Sequence, residues 1–323
     1  MTYDWKNKTV LVTGGAGFLG RHVIERLKAR GVRDGDIYIP RRANWDLTNS
    51  TDVARLYRNA FGQRKVDVVI HLAAEVGGIG ANRANPGRYF FANMAMALHL
   101  IEQARLDGLI ERDGRFVQVG TICAYPKFTP VPFTEDNLWN GYPEETNAPY
   151  GVAKKAAWQM LDAYKLQYRM KSSYVLPVNL YGPWDNFDLN TSHVIPALVR
   201  KCVEAKNRND KEIVCWGTGS ASREFLYVDD AAEGIVRASE VMTDPDPINL
   251  GAGFEIKIKD LVELIVKLTG FKGGITWDST KPDGQPRRCL STDKAKKLLD
   301  WQAQVKFEEG LRKTIDWYEK GGQ

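Results

Sequence analysis

Val10-Leu11-Val12-Thr13 runs directly into Gly14-Gly15-Ala16-Gly17-Phe18-Leu19-Gly20, and in the stretch that follows Leu19, Val23 and Leu27 fall on one helical face before Gly31 offers a stop. A strand, a glycine-rich turn and a helix in that order form the first part of a βαβ unit. Glycines at 14, 17 and 20 let the chain turn tightly, let its backbone approach a pyrophosphate and let the helix pack close to the sheet, with the helix N-terminus facing the anion. A glycine-rich loop alone could be a mere turn. Its place between a strand and a helix is what points to a dinucleotide.

Further short runs that read as strands lie at 37–39, 67–71, 116–119 and 174–178, and with 9–13 they alternate with longer helical patterns. That alternation predicts an α/β fold: a doubly wound parallel sheet of the Rossmann type, with a smaller C-terminal α/β substrate lobe. The expected division is a dinucleotide-binding Rossmann domain over 1–180, joined by a returning segment near 223–250, and a substrate-binding lobe over 181–222 and 251–323. Pro and Gly punctuation at Gly182-Pro183, Gly217 to Gly219, Pro245 to Pro247 and Lys281-Pro282-Asp283-Gly284 suggests that this lobe is rich in loops. One helix stands out in it, with Ile258, Leu261, Ile265 and Leu268 at helical spacing before Gly270.

Composition narrows the function classes. The 45 basic and 40 acidic residues are spread along the 323-residue chain, so the net charge of +5 forms no long basic block of the kind that binds nucleic acid or an anionic membrane. No run approaches the roughly 18 apolar residues of a membrane helix, and the first residues lack a signal-peptide core, so the expected location is the cytoplasm. Cys123, Cys202, Cys215 and Cys289 have no metal-site spacing, no metal is expected, and small buried hydrophobes are the default reading for all but Cys123.

The second strand ends Ile37-Tyr38-Ile39-Pro40-Arg41-Arg42, where an NAD enzyme usually places an acid against the ribose 2′-hydroxyl. Two arginines stand there instead. A guanidinium pairs well with a 2′-phosphate, so NADP is the expected cofactor, with Arg41 and Arg42 not separable at this level. Solvated loop arginines are the plainer alternative.

Tyr150-Gly151-Val152-Ala153-Lys154 is the second signal. Positions i and i+4 share one face of a helix, which can set the Lys154 ammonium beside the Tyr150 phenol. A nearby cation is expected to lower the tyrosine pKa from its usual value of about 10 and to make it a proton donor for a carbonyl receiving hydride. A surface Tyr/Lys pair would have no such role.

Taken together, these motifs resemble the extended short-chain dehydrogenase/reductase family, whose glycine loop has the same GxxGxxG spacing. The resemblance implies cofactor contacts from Gly14, Gly17, Phe18, Leu19 and Gly20, from Leu72, Ala73 and Ala74 in His71-Leu72-Ala73-Ala74, and from Tyr150 and Lys154 themselves. It also implies an adenine contact near Asp46 and Leu47, although Asp46 could equally be a helix cap. Thr121, in Val119-Gly120-Thr121-Ile122-Cys123-Ala124-Tyr125-Pro126, occupies the place of the hydroxyl residue that joins Tyr150 and Lys154 in many members.

Longer ordered segments resemble the GDP-L-fucose synthase family across almost the whole chain. They are Val76 to Asn82, Asn179-Leu180-Tyr181-Gly182-Pro183 with Asp185-Asn186-Phe187, Ser192 to Leu198, Trp216-Gly217, Arg223 to Leu226 and Lys281 to Gly284. The reaction this implies starts from GDP-4-keto-6-deoxy-D-mannose, whose C4 ketone acidifies the hydrogens at C3 and C5. Cys123 and His193 stand where the family keeps its acid/base pair; NADPH then delivers hydride to C4, and Tyr150 supplies the proton. Asn179, Trp216, Arg223 and Lys281 resemble substrate-side positions, with a buried core aromatic as the alternative for Trp216 and ordinary surface charges for Arg223 and Lys281. A homodimer through the helices around 91–104 and 150–168 is a further implication. Thr121 in place of the usual serine, Ile122 in place of a second serine and Trp184 in place of a frequent histidine change the polarity or bulk of the pocket.

Other readings share part of this set. A nucleotide-sugar 4-epimerase with tightly bound NAD would use the glycine loop, Thr121, Tyr150 and Lys154, but would have no need for Cys123 and His193 as a second acid/base pair. A 4,6-dehydratase would carry Asp-Glu where Ile122 and Cys123 stand. A related epimerase-reductase with another GDP-keto sugar keeps every motif, and a non-catalytic nucleotide-binding scaffold could dispense with Tyr150 and Lys154.

Overall fold

The computed structural model describes residues 3–189, 191–281 and 285–322. In chain order the strands are β1 (Val10–Thr13), β2 (Ile37–Tyr38), β3 (Val68–His71), β4 (Arg115–Val119), β5 (Ser172–Pro177), β6 (Asn179–Tyr181), β7 (Glu212–Trp216), β8 (Ser222–Arg223), β9 (Phe225–Tyr227), β10 (Ile248–Leu250), β11 (Ile256–Lys257) and β12 (Gly274–Asp278). The α-helices are α1 (Phe18–Ala29), α2 (Ser50–Asn59), α3 (Ile79–Ala84), α4 (Pro86–Leu106), α5 (Ala148–Tyr168), α6 (Val194–Arg208), α7 (Val228–Val241), α8 (Ile258–Thr269), α9 (Asp293–Leu299) and α10 (Phe307–Glu319).

Six strands form one parallel sheet in the order β10-β5-β4-β3-β1-β2. The chain moves outward from β1 to β2 and then returns to the other side of β1 with β3, so the order reverses between β1 and β3. Ligands of open α/β sheets bind outside the carboxyl ends of the strands at such a point.

Alternation along each strand builds the two faces. Val10, Val12, Val68 and Ile70 join Val23 and Leu27 of α1 and Ile235 of α7 in one core. Leu11 and Val69, one residue out of step, join Leu56 of α2, Leu100 of α4 and Leu161 of α5 in the opposite core. Strand β5 begins two residues earlier than expected, because Ser172 and Ser173 pair with Phe116 and Val117 in spite of their weak strand preference.

The region beyond residue 180 is less loop-rich than its Pro and Gly content suggests. It contains α6 to α10, and Ile195, Leu198, Val199 and Cys202 of α6 pack with Leu261 and Ile265 of α8 and Leu311 and Ile315 of α10. Short strand pairs β6–β9, β7–β12 and β8–β11 sit among these helices. Segment 228–250 contributes α7 and β10 to the large sheet and its core. Among the described residues, no helix is long and apolar enough to cross a membrane and no group of side chains is arranged to hold a metal ion.

Candidate active site

At the reversal point the glycine loop meets the chain leaving β3. Gly14 has φ +73°, and a Cβ there would lie 2.8 Å from Ala73 N, so only glycine fits both the conformation and the contact. A Cβ on Gly20 would lie 2.2 Å from the Gly14 carbonyl oxygen, which makes the close fit of α1 under the loop depend on glycine. Gly17, at the N-cap of α1, is exposed, and its own Cβ position meets only Gly14 O, at 3.3 Å. This open notch at a helix N-terminus, without a capping side chain, suits the diphosphate of a dinucleotide. Phe18 and Leu19 are half-buried in the first turn of α1, and Leu72 and Ala73 are half-buried across the notch, with Ala74 exposed. The Thr13 hydroxyl and His71 Nδ1 are hydrogen-bonded at 2.7 Å, and Ala73 N donates to the same hydroxyl at 3.3 Å, so the two strand ends are tied together. Burial, reinforced by the Lys154 ammonium, holds the His71 pKa well below its usual range, leaving a neutral imidazole.

Arg41 and Arg42 are both exposed just beyond β2. The structure separates them: Arg42 Nη2 lies 3.2 Å from Glu75 Oε1, whereas Arg41 has no ion pair among the described residues. Glu75 itself is held by Arg88 at 2.7 and 2.8 Å. Sequence reasoning missed Glu75 and Arg88; their charges four residues after His71 and on α4 carry no periodic signal that would link them to Arg42. Asp46 is not a helix cap. Its Oδ1 accepts from Thr48 N at 2.9 Å and from the Thr48 hydroxyl at 2.7 Å, while Asn49 caps α2 by accepting from Thr51 N and Asp52 N. These local bonds hold the Asp46 carboxyl below the usual range. Leu47 is half-buried against the core under α2.

The catalytic candidates gather at the end of β4. Thr121 is the N-cap of a 3-10 turn over Ile122–Ala124, and its hydroxyl accepts from Cys123 N at 3.2 Å. Helix α5 lies directly on this turn, because a Cβ at Gly151 would sit 2.4 Å from the Cys123 carbonyl oxygen. That approach sets the Tyr150 phenol beside Thr121 and Cys123. Gly151 is a second residue missed from the sequence, where it read only as a spacer inside the Tyr/Lys motif.

Lys154 is buried one turn further along α5. Its Nζ donates to Val119 O at 3.1 Å and lies 5.9 Å from the centre of the Tyr150 ring. The expected lowering of the tyrosine pKa is absent: burial of the phenol raises it, and the neighbouring Cys123 thiol adds to the rise. Burial also depresses the Lys154 ammonium to about 8. The two groups therefore share a desolvated site in which the phenol stays protonated, as a donor must be.

His193 is the N-cap residue of α6, with no capping bond from its side chain. It is exposed to solvent, and the protein packed around the imidazole lowers its pKa. Neighbouring Ser192 packs against Gly78 of the glycine-rich segment, its carbonyl oxygen 3.4 Å from the Cβ position of Gly78. Among the described residues no hydrogen bond joins His193 to Cys123. Within the glycine-rich segment, Asn82 donates to Gly77 O at 3.0 Å and to Asn147 Oδ1 at 2.9 Å, which ties the segment to the residue that begins α5.

Of the substrate-side candidates, Asn179 is half-buried and donates to Glu224 O at 3.0 Å. Trp216 is not a core aromatic: it is 64% exposed on β7, with the Lys281 and Lys201 ammonium groups 5.5 and 5.9 Å from its ring centre. Alternation explains this, because Ile213 and Cys215 take the buried side of the strand. Arg223 is half-buried and donates to Ser222 O and Gln285 O at 2.7 and 2.5 Å, unlike an ordinary surface charge. Lys281 is exposed; Pro282, Asp283 and Gly284 of the same motif lie outside the described residues. Trp184 sits under the Arg21 guanidinium at 4.4 Å and against Trp317.

Residues 10–251 match the NAD dependent epimerase/dehydratase family. Probable GDP-L-fucose synthase 1 of Oryza sativa subsp. japonica is 37% identical over 313 residues, covering 97% of this chain and 92% of the rice protein. The GDP-L-fucose synthase of Escherichia coli (strain K12) is 35% identical over 318 residues, covering 96% of each. Among solved structures, a GDP-L-fucose synthetase from Naegleria fowleri bound to NADP superposes with a TM-score of 0.86 at 26% identity, over 98% of this chain and 95% of that one.

Proposed function

The chain belongs to the NAD dependent epimerase/dehydratase family and, within it, to the GDP-L-fucose synthase family, and from that premise we propose that it converts GDP-4-keto-6-deoxy-D-mannose into GDP-L-fucose with NADPH. The observation that carries the reading is the single turn at the end of β4, where the Tyr150 donor, Thr121 and the Cys123 thiol meet under α5. A reduction and a proton exchange on adjacent carbons need these groups within one sugar's breadth of each other.

Gly14, Gly17, Phe18, Leu19 and Gly20 would hold the cofactor diphosphate at the head of α1, and Leu72, Ala73 and Ala74 would close the other side. Arg41 and Arg42 would pair with the 2′-phosphate, and Asp46 and Leu47 would meet the adenine. When bound, NADPH supplies hydride to C4. Before that step the Cys123 thiolate and the His193 imidazole act at C3 and C5: each C–H bond breaks, the electron pair passes into the enolate of the C4 ketone, and a proton returns to the opposite face. Tyr150, beside Thr121, would give its proton to the C4 oxygen, and the Lys154 ammonium would stabilise the phenolate left behind.

The half of the chain over 1–180, with the segment near 223–250, serves the cofactor, and 181–222 with 251–323 serves the GDP-sugar. Asn179, Arg223 and Lys281 meet the sugar and diphosphate, and the exposed face of Trp216 stacks on the base. The enzyme works in the cytoplasm as a homodimer. Phe91 and Leu98 on α4 and Leu166 on α5 leave apolar surface that a second copy of the same helices covers, and sedimentation at micromolar concentration reads the assembly.

The test is incubation with GDP-4-keto-6-deoxy-D-mannose in deuterated water. Without NADPH, deuterium should enter C3 and C5; with NADPH, the product should have L-fucose stereochemistry by NMR. Cys123→Ser and His193→Asn should each impair the exchange, since neither a serine hydroxyl nor an amide is an effective acid or base near neutrality. Full exchange and normal product in both variants would reject the assignment.

A further inference from the structure

The segment that leads into α9 passes directly over the Cys123 thiol. Gln285 Nε2 donates to Lys127 O at 2.6 Å, and Arg223 Nη1 donates to Gln285 O at 2.5 Å. Phe133 N donates to Cys289 O and Ser291 N to Phe133 O, both at 2.8 Å, while Leu290 N donates to the buried Glu224 carboxylate at 2.6 Å. The backbone of 285–291 is thus fastened at both ends.

Two consecutive arginines on this strap face different partners, as an extended chain requires. Arg287 pairs with Glu255 at 3.0 Å, away from the chemistry. Arg288 is half-buried, bonds through Nε to the Gln285 side-chain carbonyl, and brings Nη1 to 3.7 Å from Cys123 Sγ. The Tyr150 phenol of α5 also lies against Cys123. A guanidinium keeps its charge at every relevant pH. A neutral thiol gains little from such a neighbour, whereas a thiolate gains a charge-assisted hydrogen bond.

We propose that Arg288 is a positioning residue for proton exchange, which aims the Cys123 sulfur and stabilises its thiolate between one proton transfer and the next. The proposal rests on the reading of Cys123 as an acid/base group. It accounts for a cation at a place where neither the cofactor chemistry nor the C4 reduction needs one.

The assay uses thiol alkylation, because Cys202, Cys215 and Cys289 are buried and Cys123 is the accessible cysteine. In Arg288→Gln, which keeps a polar side chain beside Gln285, iodoacetamide should modify Cys123 about tenfold more slowly at pH 7, with a matching loss of thiolate absorbance against a Cys123→Ala reference. Deuterium exchange into the keto sugar should fall in parallel. Arg288→Lys should recover both rates to within about threefold, whereas a residue needed only for packing would give no such rescue by charge. NADPH binding and thermal unfolding serve to confirm that the variants are folded. Unchanged alkylation in folded Arg288→Gln would overturn the proposal, as would a loss that Arg288→Lys fails to restore. Failure of the underlying reading looks different: Cys123→Ser would then retain full deuterium exchange, whatever Arg288 does to the alkylation rate.

Discussion

Gly151→Ala is the perturbation that most directly tests whether the approach of α5 to the β4 turn assembles the site. The added Cβ would lie 2.4 Å from Cys123 O, 3.0 Å from Cys123 C and 3.2 Å from Ala124 Cα, and all three are backbone atoms with no flexible side chain to yield. Ordinary contact begins at 3.4 Å, so helix and turn must part by about 1 Å. The effect on stability is small, because alanine favours the helix by up to about 1 kcal/mol while overpacking costs about 1 to 3 kcal/mol. The effect on chemistry is larger. A displacement of about 1 Å between reacting groups costs on the order of 100-fold in rate, or about 2.7 kcal/mol of barrier. Because Tyr150 rides on α5 while Thr121 and Cys123 ride on the turn, reduction should slow by about that factor. The assay is kcat/KM from NADPH oxidation, read beside NADPH affinity and the thermal midpoint. Gly87→Ala on α4 is the control, since its Cβ would meet nothing within 4 Å. A folded Gly151→Ala enzyme within threefold of normal turnover would refute the reasoning.

Other outcomes follow from the same geometry. With the Lys154 pKa lowered to about 8, the ammonium is present below that pH and lost above it, while the phenol stays protonated; kcat/KM for reduction should therefore fall above about pH 8, and a profile flat to pH 10 would exclude Lys154 as its source. Tyr150→Phe removes only the hydroxyl, so the protein should still fold, bind NADPH and exchange deuterium at C3 and C5 while losing at least about 100-fold in reduction, as measured by single-turnover absorbance. Joint replacement of Arg41 and Arg42 by glutamate should weaken NADPH far more than NADH in parallel titrations. The single Arg42→Glu change should also repel Glu75, which Arg42 now pairs with, so it should cost more than Arg41→Glu.

Much of the site was legible because its signals are local. The glycine loop announces itself since a strand, a tight turn and a helix must follow one another within a few residues, and Tyr150 and Lys154 share a face because a helix repeats every 3.6 residues. Trp216 was ambiguous for the opposite reason. An aromatic on a five-residue strand can face either way until its partner strand is known, and pairing of β7 with β12 leaves it outward between Lys201 and Lys281. Asp46 looked like a cap because aspartate often is one, but Asn49 stands closer to the start of α2 and takes the role.

The sequence by itself determined the α/β class, the dinucleotide loop and the Tyr/Lys helix, since each depends on periodicity or on backbone freedom over a short stretch. Only the tertiary structure decided which groups meet. Arg288 reaches Cys123 across 165 positions of chain, Lys154 turns to the Val119 carbonyl, and Glu75 ties Arg42 to Arg88. It also decided the direction of the tyrosine shift. A neighbouring cation can be inferred from spacing, but desolvation depends on every atom packed around the phenol, and at Tyr150 burial is the larger effect.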